Sequence, residues 1–236
     1  MNSIMRGVLL VGTLVVVVGC ASTPAPAPMM QTGPDAEVTV DGLVRIDNAA
    51  VPVSYWKPDM DLTGYTRFML DPVEVAYQKD PGNRRRTGTG GAEENFALTP
   101  RQMDRFRGWF EEAVVEALTE NGGYELTTEP GPDVLRITAS LIDLVVRVPT
   151  EMAGRQRSFA RSYYMVSLIL ELRDSESGEI LVRAADRRDP TRNTEFSMAE
   201  VSPVYVKADT EAMFRHWADL LRERLDALRG VGEGRD

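Results

Sequence analysis

Val134-Leu-Arg-Ile-Thr-Ala-Ser-Leu-Ile-Asp-Leu-Val-Val-Arg-Val148 is the stretch on which the fold turns. Its apolar side chains occupy odd positions first (Leu135, Ile137, Ala139, Leu141) and even ones afterwards (Ile142, Leu144, Val146, Val148). Strand side chains alternate faces with a period of two, so this switch implies a bulge or a bend near Leu141-Ile142. The stretch is long enough for roughly 45 Å of strand. Downstream, Tyr164, Val166, Leu168, Leu170 and Leu172 keep an even register against Ser167, Glu171 and Arg173. Asp174-Ser-Glu-Ser-Gly178 supplies a turn, and residues 180–187 return as the partner strand of a hairpin.

Helices flank these strands. Thr99, Pro100 and Gln102 stand at the N-cap, N1 and N3 positions of a capping box. Met103, Phe106, Phe110, Ala113, Val114, Ala117 and Leu118 then recur at helical spacing, and Gly122 or Gly123 is the expected left-handed stop. A second helix is predicted over about 206–228, with Met213, Phe214, Trp217, Leu220, Leu221, Leu225 and Leu228 in one arc. Trp217 is expected to be buried against the sheet. Arg224 falls inside the same arc and is expected to snorkel toward its edge.

Before the first helix, residues 66–75 read as a strand whose alternation slips at Asp71-Pro72. Residues 43–65 read as an irregular covering segment, residues 77–98 as a loop long for a compact domain, and residues 124–127 as a short strand. The expected fold is α+β: an antiparallel sheet of about four to five strands with two helices packed on one face, in the order β-α-β-β-β-β-α.

The N-terminal region gives an address. Arg6, the apolar run Val8–Val18 and Val17-Val18-Gly19-Cys20 resemble a bacterial lipoprotein signal with its lipobox. The run is about 11 residues, short of the roughly 20 a spanning helix needs. Residues 1–19 are therefore read as a signal peptide. Cys20, the single cysteine, would carry the diacylglyceryl group and its palmitate-type acyl chains. Residues 20–40, beginning Cys20-Ala-Ser-Thr-Pro-Ala-Pro-Ala-Pro28, read as a tether. The domain is placed at 41–230, with a disordered tail at 231–236. Ala21, where an aspartate would suggest inner-membrane retention, points to the periplasmic face of an outer membrane.

Several residues match a known pattern. Tyr65 through Asp71-Pro72-Val73, Gly131-Pro-Asp-Val-Leu-Arg136, Arg173-Asp-Ser175, Gly178-Glu179, Asp186-Arg-Arg188 and Trp217-Ala218 resemble the domain-of-unknown-function 3313 family of bacterial lipoproteins. The resemblance implies a lipoprotein and supplies no activity to carry over.

The chemical vocabulary is thin. Net charge is −9 with a single histidine, His216, which argues against nucleic-acid binding and leaves little for a metal site. His216 flanks the apolar arc and is expected to be a partly buried structural residue. No Gly-x-Ser-x-Gly elbow accompanies it. Asp133, Asp143, Asp174, Asp186 and Asp189 are the candidate acids, each more economically read as structural. Asp143 either marks the strand slip or is buried against Arg136 or Arg183. Arg84-Arg85-Arg86, beside Gly88-Thr-Gly-Gly, is a candidate anion-binding run, with Arg155, Arg157 and Arg161 as a second basic loop.

These readings lead to a non-enzymatic protein with no catalytic residue, metal or cofactor, attached to the membrane through Cys20. It would act as a protein-interaction or assembly module with an envelope protein partner or with itself. The alternative is a binder of an envelope ligand (lipid, glycan or peptidoglycan fragment), which a deep apolar pocket would favour.

Overall fold

The computed structural model describes residues 26–79, 97–120, 123–146, 159–160, 164–189, 199–200 and 203–229. Cys20, Arg84, Arg85, Arg86, Arg155, Arg157, Arg161 and the tail lie outside the described residues.

Among the described residues, eleven strands and two helices follow in chain order: β1 (Met29–Met30), β2 (Val44–Asp47), β3 (Val53–Trp56), β4 (Arg67–Leu70), β5 (Glu74–Tyr77), α1 (Pro100–Thr119), β6 (Glu125–Leu126), β7 (Val134–Val146), β8 (Phe159–Ala160), β9 (Tyr164–Asp174), β10 (Ile180–Arg188), β11 (Ala199–Glu200) and α2 (Pro203–Leu228). Nine of the strands form one sheet in the order β1-β2-β3-β10-β9-β7-β4-β6, with β5 also on β7. β8 and β11 pair separately.

The expected four-to-five-stranded antiparallel sheet is thus wrong in size, order and direction. β4 and β5 both run parallel to β7, and β6 runs parallel to β4. The cause is α1. Twenty helical residues span about 30 Å, enough to return the chain to the end where β4 began, so the next strands start beside it in the same direction. The segment at 43–65 also supplies β2 and β3, which extend the sheet beyond β10. Met29–Met30, in the stretch read as tether, pairs with Ile46–Asp47.

The central strands behave as their patterns require. Ile137, Ala139 and Leu141 of β7 pair with Leu172, Leu170 and Leu168 of β9 on the helix-covered face. The register shifts between Ile142 and Val145, after which Val146 pairs with Tyr164 on that same face. Asp143 sits in the shift with φ of +53°, and this extra residue moves the inward set from odd to even positions. It is a bulge residue; Arg136 pairs with Asp71, and Arg183 with Glu171 and Asp41. Pro72 likewise breaks the predicted 66–75 strand into β4 and β5, which lie end to end along β7.

In α1, Thr99 and Gln102 form the reciprocal capping box. At its far end Gly123 is not left-handed, and Gly122, the other expected stop, lies outside the described residues. A Cβ on Gly123 would stand 2.9 Å from the Leu118 carbonyl oxygen and 3.2 Å from Arg222 Cζ. The glycine makes room for Arg222 of α2, which donates to the Ala117 and Glu120 carbonyls at 2.7 and 3.0 Å and to Asp226 at 2.6 Å. One cation thereby closes the C-terminus of α1 and locks the two helices together. Phe214 of α2 adds edge-to-face contacts with Phe106 and Phe110 of α1, ring centroids 5.1 and 5.4 Å apart.

The opposite face of the sheet carries a charge ladder. Arg136 and Thr138 hydrogen-bond Asp71 at 2.8 Å each, and Arg183 donates to Glu171 at 2.7 Å, with Arg173 pairing the same carboxylate. Burial disfavours ionisation of Asp71 and Glu171, but the facing arginines outweigh it and hold both carboxyls below their ordinary range. A depressed folded value means stability that is present above the unfolded pKa and lost as pH falls through the folded one. Melting temperature is therefore expected to be level from neutral pH to about 5 and to fall below about 4. Glu171→Gln should flatten that acid limb; an unchanged pH profile in the variant would show that the ladder contributes nothing to it.

Candidate functional site

Two groups of side chains gather the residues that carry the family resemblance. The first is a corner joining β4, the turn before β7 and the β9–β10 turn. Tyr65 donates to Asp174 at 2.9 Å. Ser175 Oγ bonds both the amide and the carbonyl of Gly131, at 3.0 and 2.9 Å. Arg67 grips Asp133 through Nε and Nη2 at 2.8 and 2.5 Å. The Arg67 guanidinium and the Thr66 hydroxyl hold the Asp133 carboxyl well below the usual carboxylate range. Burial, followed by its bond to Asp174, pushes the Tyr65 phenol up to about 12. Asp133 and Asp174 are each spent on local partners, so the corner fastens turns.

The second group lies under α2. Trp217 is 4% exposed and donates Nε1–H to Asp186 Oδ2 at 2.9 Å; Asp186 is 7% exposed. Arg188 Nε donates to the same oxygen at 2.6 Å, and Arg188 Nη2 lies 3.3 Å from His216 Nε2. The expected burial of Trp217 holds. His216 is exposed rather than partly buried, because its position turns away from the arc and it reaches only the Arg188 guanidinium.

Trp217 and Asp186 also line an apolar cavity between α2 and the sheet. The sheet contributes Leu168, Leu170, Val182 and Ala184; α2 contributes Leu221, Arg224 and Leu225; the N-terminal segment contributes Pro28 and Val51. About 90 Å³ of the cavity is open to the centre of a water molecule, several times the roughly 10–15 Å³ that one water requires. Polar groups in the wall are few. Asp186 is balanced by Arg188. Arg224, half-buried, also contributes to the cavity wall; its Nε is buried without a hydrogen-bond partner among the described residues.

The remaining candidates do not converge. Asp133 and Asp174 belong to the corner, Asp143 to the bulge and Asp186 to the cavity. Among the described residues, no group of three or more His, Cys, Asp or Glu side chains is placed to hold a metal ion, and no helix is long and apolar enough to cross a membrane. Sequence reasoning missed the cavity. The available signal was Arg224 inside an apolar arc facing a strand with Ala184-Ala185.

A family model described as "Protein of unknown function (DUF3313)" matches residues 41–221. No curated protein matches the chain. Among solved structures, the chain is similar to a PelC L103M dodecamer from Paraburkholderia phytofirmans, at 9% identity over 72% of this chain and 95% of that one, with a TM-score of 0.35. It is also similar to protein XCC0632 from Xanthomonas campestris (13% identity, 76% and 95% covered, TM-score 0.40) and to the hypothetical protein CT253 from Chlamydia trachomatis (12%, 70% and 96%, TM-score 0.34).

The Trp217–Asp186 bond predicts an ordered series. Trp217→Phe, which keeps the ring and leaves Asp186 short of one donor, should cost about 1–3 kcal/mol of unfolding free energy. Trp217→Ala should cost about 3–5 kcal/mol. Chemical denaturation checks both, and a Trp217→Phe variant as stable as the wild type would remove the hydrogen bond from the account.

Proposed function

This chain belongs to the DUF3313 family, and we propose that it is a non-enzymatic, lipid-anchored cell-envelope protein whose domain holds an apolar ligand between α2 and the sheet. The cavity carries the reading. It is partly open to the surface, is several times larger than one water molecule requires, and is lined by Leu168, Leu170, Val182, Leu221 and Leu225. Empty, it would forfeit dispersion contacts on every lining side chain; an apolar occupant restores them. The cavity favours the ligand-binding alternative over the protein-interaction module.

The placement of the candidate acids and of the histidine supports the non-enzymatic reading. Asp133, Asp174 and Asp186 each serve a structural partner, and His216 faces solvent beside Arg188. The address rests on Cys20 and the apolar run before it, and Ala21 supports the periplasmic face of an outer membrane. The tether enters beside the ligand site, since Pro28 lines the cavity. An anchored protein would thus hold its site within reach of membrane components.

Anchoring is checked by Cys20→Ser, which should fold normally and leave the membrane fraction. Retention of the variant at the wild-type level would overturn the lipobox. Ligand binding is checked with N-phenyl-1-naphthylamine, an uncharged dye that brightens in apolar surroundings. The wild type should bind it saturably, and Ala184→Phe, which fills the cavity from the sheet side, should lose that binding at unchanged secondary structure. Equal dye binding by Ala184→Phe and wild type would place any apolar site elsewhere.

A further inference from the structure

Arg224 is the charge that the cavity leaves unmatched. Its neighbours on the helix are already committed or turned away: Arg222 pairs with Asp226 and caps α1, while Glu223 is exposed. Within the cavity wall the other ionised group, Asp186, is neutralised by Arg188 and bonded by Trp217. The wall therefore carries one net positive charge on a guanidinium whose Nε is buried and unpartnered among the described residues. Arg224 as a whole is half-buried, but its buried Nε–H is a donor without an acceptor, which is costly. An anionic oxygen attached to something that fits apolar walls satisfies it.

We infer that the cavity takes a single-chain fatty-acid carboxylate, with its head on Arg224 and its chain running along α2 toward Trp217. The inference rests on the ligand-binding reading above and names the ligand's class. Charge decides between head groups. One carboxylate balances one guanidinium, whereas a monoester phosphate brings about −1.5 to −2 and would leave a surplus negative charge desolvated. A planar carboxylate also matches the donor fork of arginine. Geometry sets the direction: Arg224 lies seven residues from Trp217, two helical turns or about 10 Å along the axis, with Leu221 and Leu225 between and beside them on the same lining face. Asp186, at the Trp217 end, disfavours an anionic head there.

Tryptophan fluorescence reads the occupant directly, because Trp56 and Trp217, two of the three tryptophans, line the cavity. The full chain carrying Cys20→Ser is titrated with 9,10-dibromostearate, with the matching dibromostearyl alcohol and with a dibrominated monoacyl phosphate; bromine quenches tryptophan on contact. The carboxylate should quench saturably and bind more tightly than either of the others. Arg224→Gln should weaken carboxylate binding by roughly 10- to 100-fold, the loss of a charge-assisted hydrogen bond, and leave the alcohol nearly unchanged, with a thermal melt confirming the fold. Equal carboxylate affinity in Arg224→Gln and wild type, or tighter binding of the phosphate or the alcohol than of the carboxylate in the wild type, would overturn the inference. Saturable quenching by the alcohol keeps the cavity reading standing when the carboxylate assignment fails; no saturable quenching by any of the three removes both.

Discussion

The hydrogen bond from Trp217 to Asp186 is the contact on which the helix layer depends. A buried carboxylate is expensive unless its charge and lone pairs are met, and Asp186 meets that demand with the Arg188 guanidinium from its own strand and the Trp217 indole from α2. The bond fixes where α2 crosses β10. It also fixes the spacing, because an indole on the helix side lines the same space as Ala184 on the sheet side. Large opposite small at one end, with leucines farther along, leaves a gap that neither layer fills. The cavity is a consequence of that pairing.

The sheet beneath keeps its two faces chemically distinct through one irregularity. Without the extra residue at Asp143, Leu144 and Val146 would turn to the charge ladder and Val145 to the helices. The bulge restores the apolar set to the side of Phe106, Phe110 and Phe214. Arg222 then ties α1 to α2, so that the helix layer is held at the Asp186 end by Trp217 and at the end of α1 by a cation on two carbonyls.

Local signals were legible in the sequence and non-local ones were not. The capping box at Thr99 and Gln102, the β9–β10 hairpin, the slip near Ile142 and the burial of Trp217 all follow from residues close together in the chain. The parallel pairing of β4 and β5 with β7 depends on how far α1 carries the chain, which residue periodicity does not encode. β2 and β3 are four residues each around Pro52, too short for alternation to separate them from an irregular segment; β2 pairs with β3, and the pairing of β3 with β10 spans more than a hundred residues. The site was harder still, since a cavity is missing volume and leaves no pattern. Asp186 stood out only as one acid among five, and Arg224 only as an outlier in an apolar arc.

The central claim is that the space between α2 and the sheet is a ligand site. It is tested most directly by the electron density of crystals grown from protein extracted from its own membranes, without delipidation. The account predicts elongated density along α2 between Trp217 and Arg224, in contact with Leu170 and Val182. Side chains collapsed into the space, or ordered waters filling it, would contradict the account.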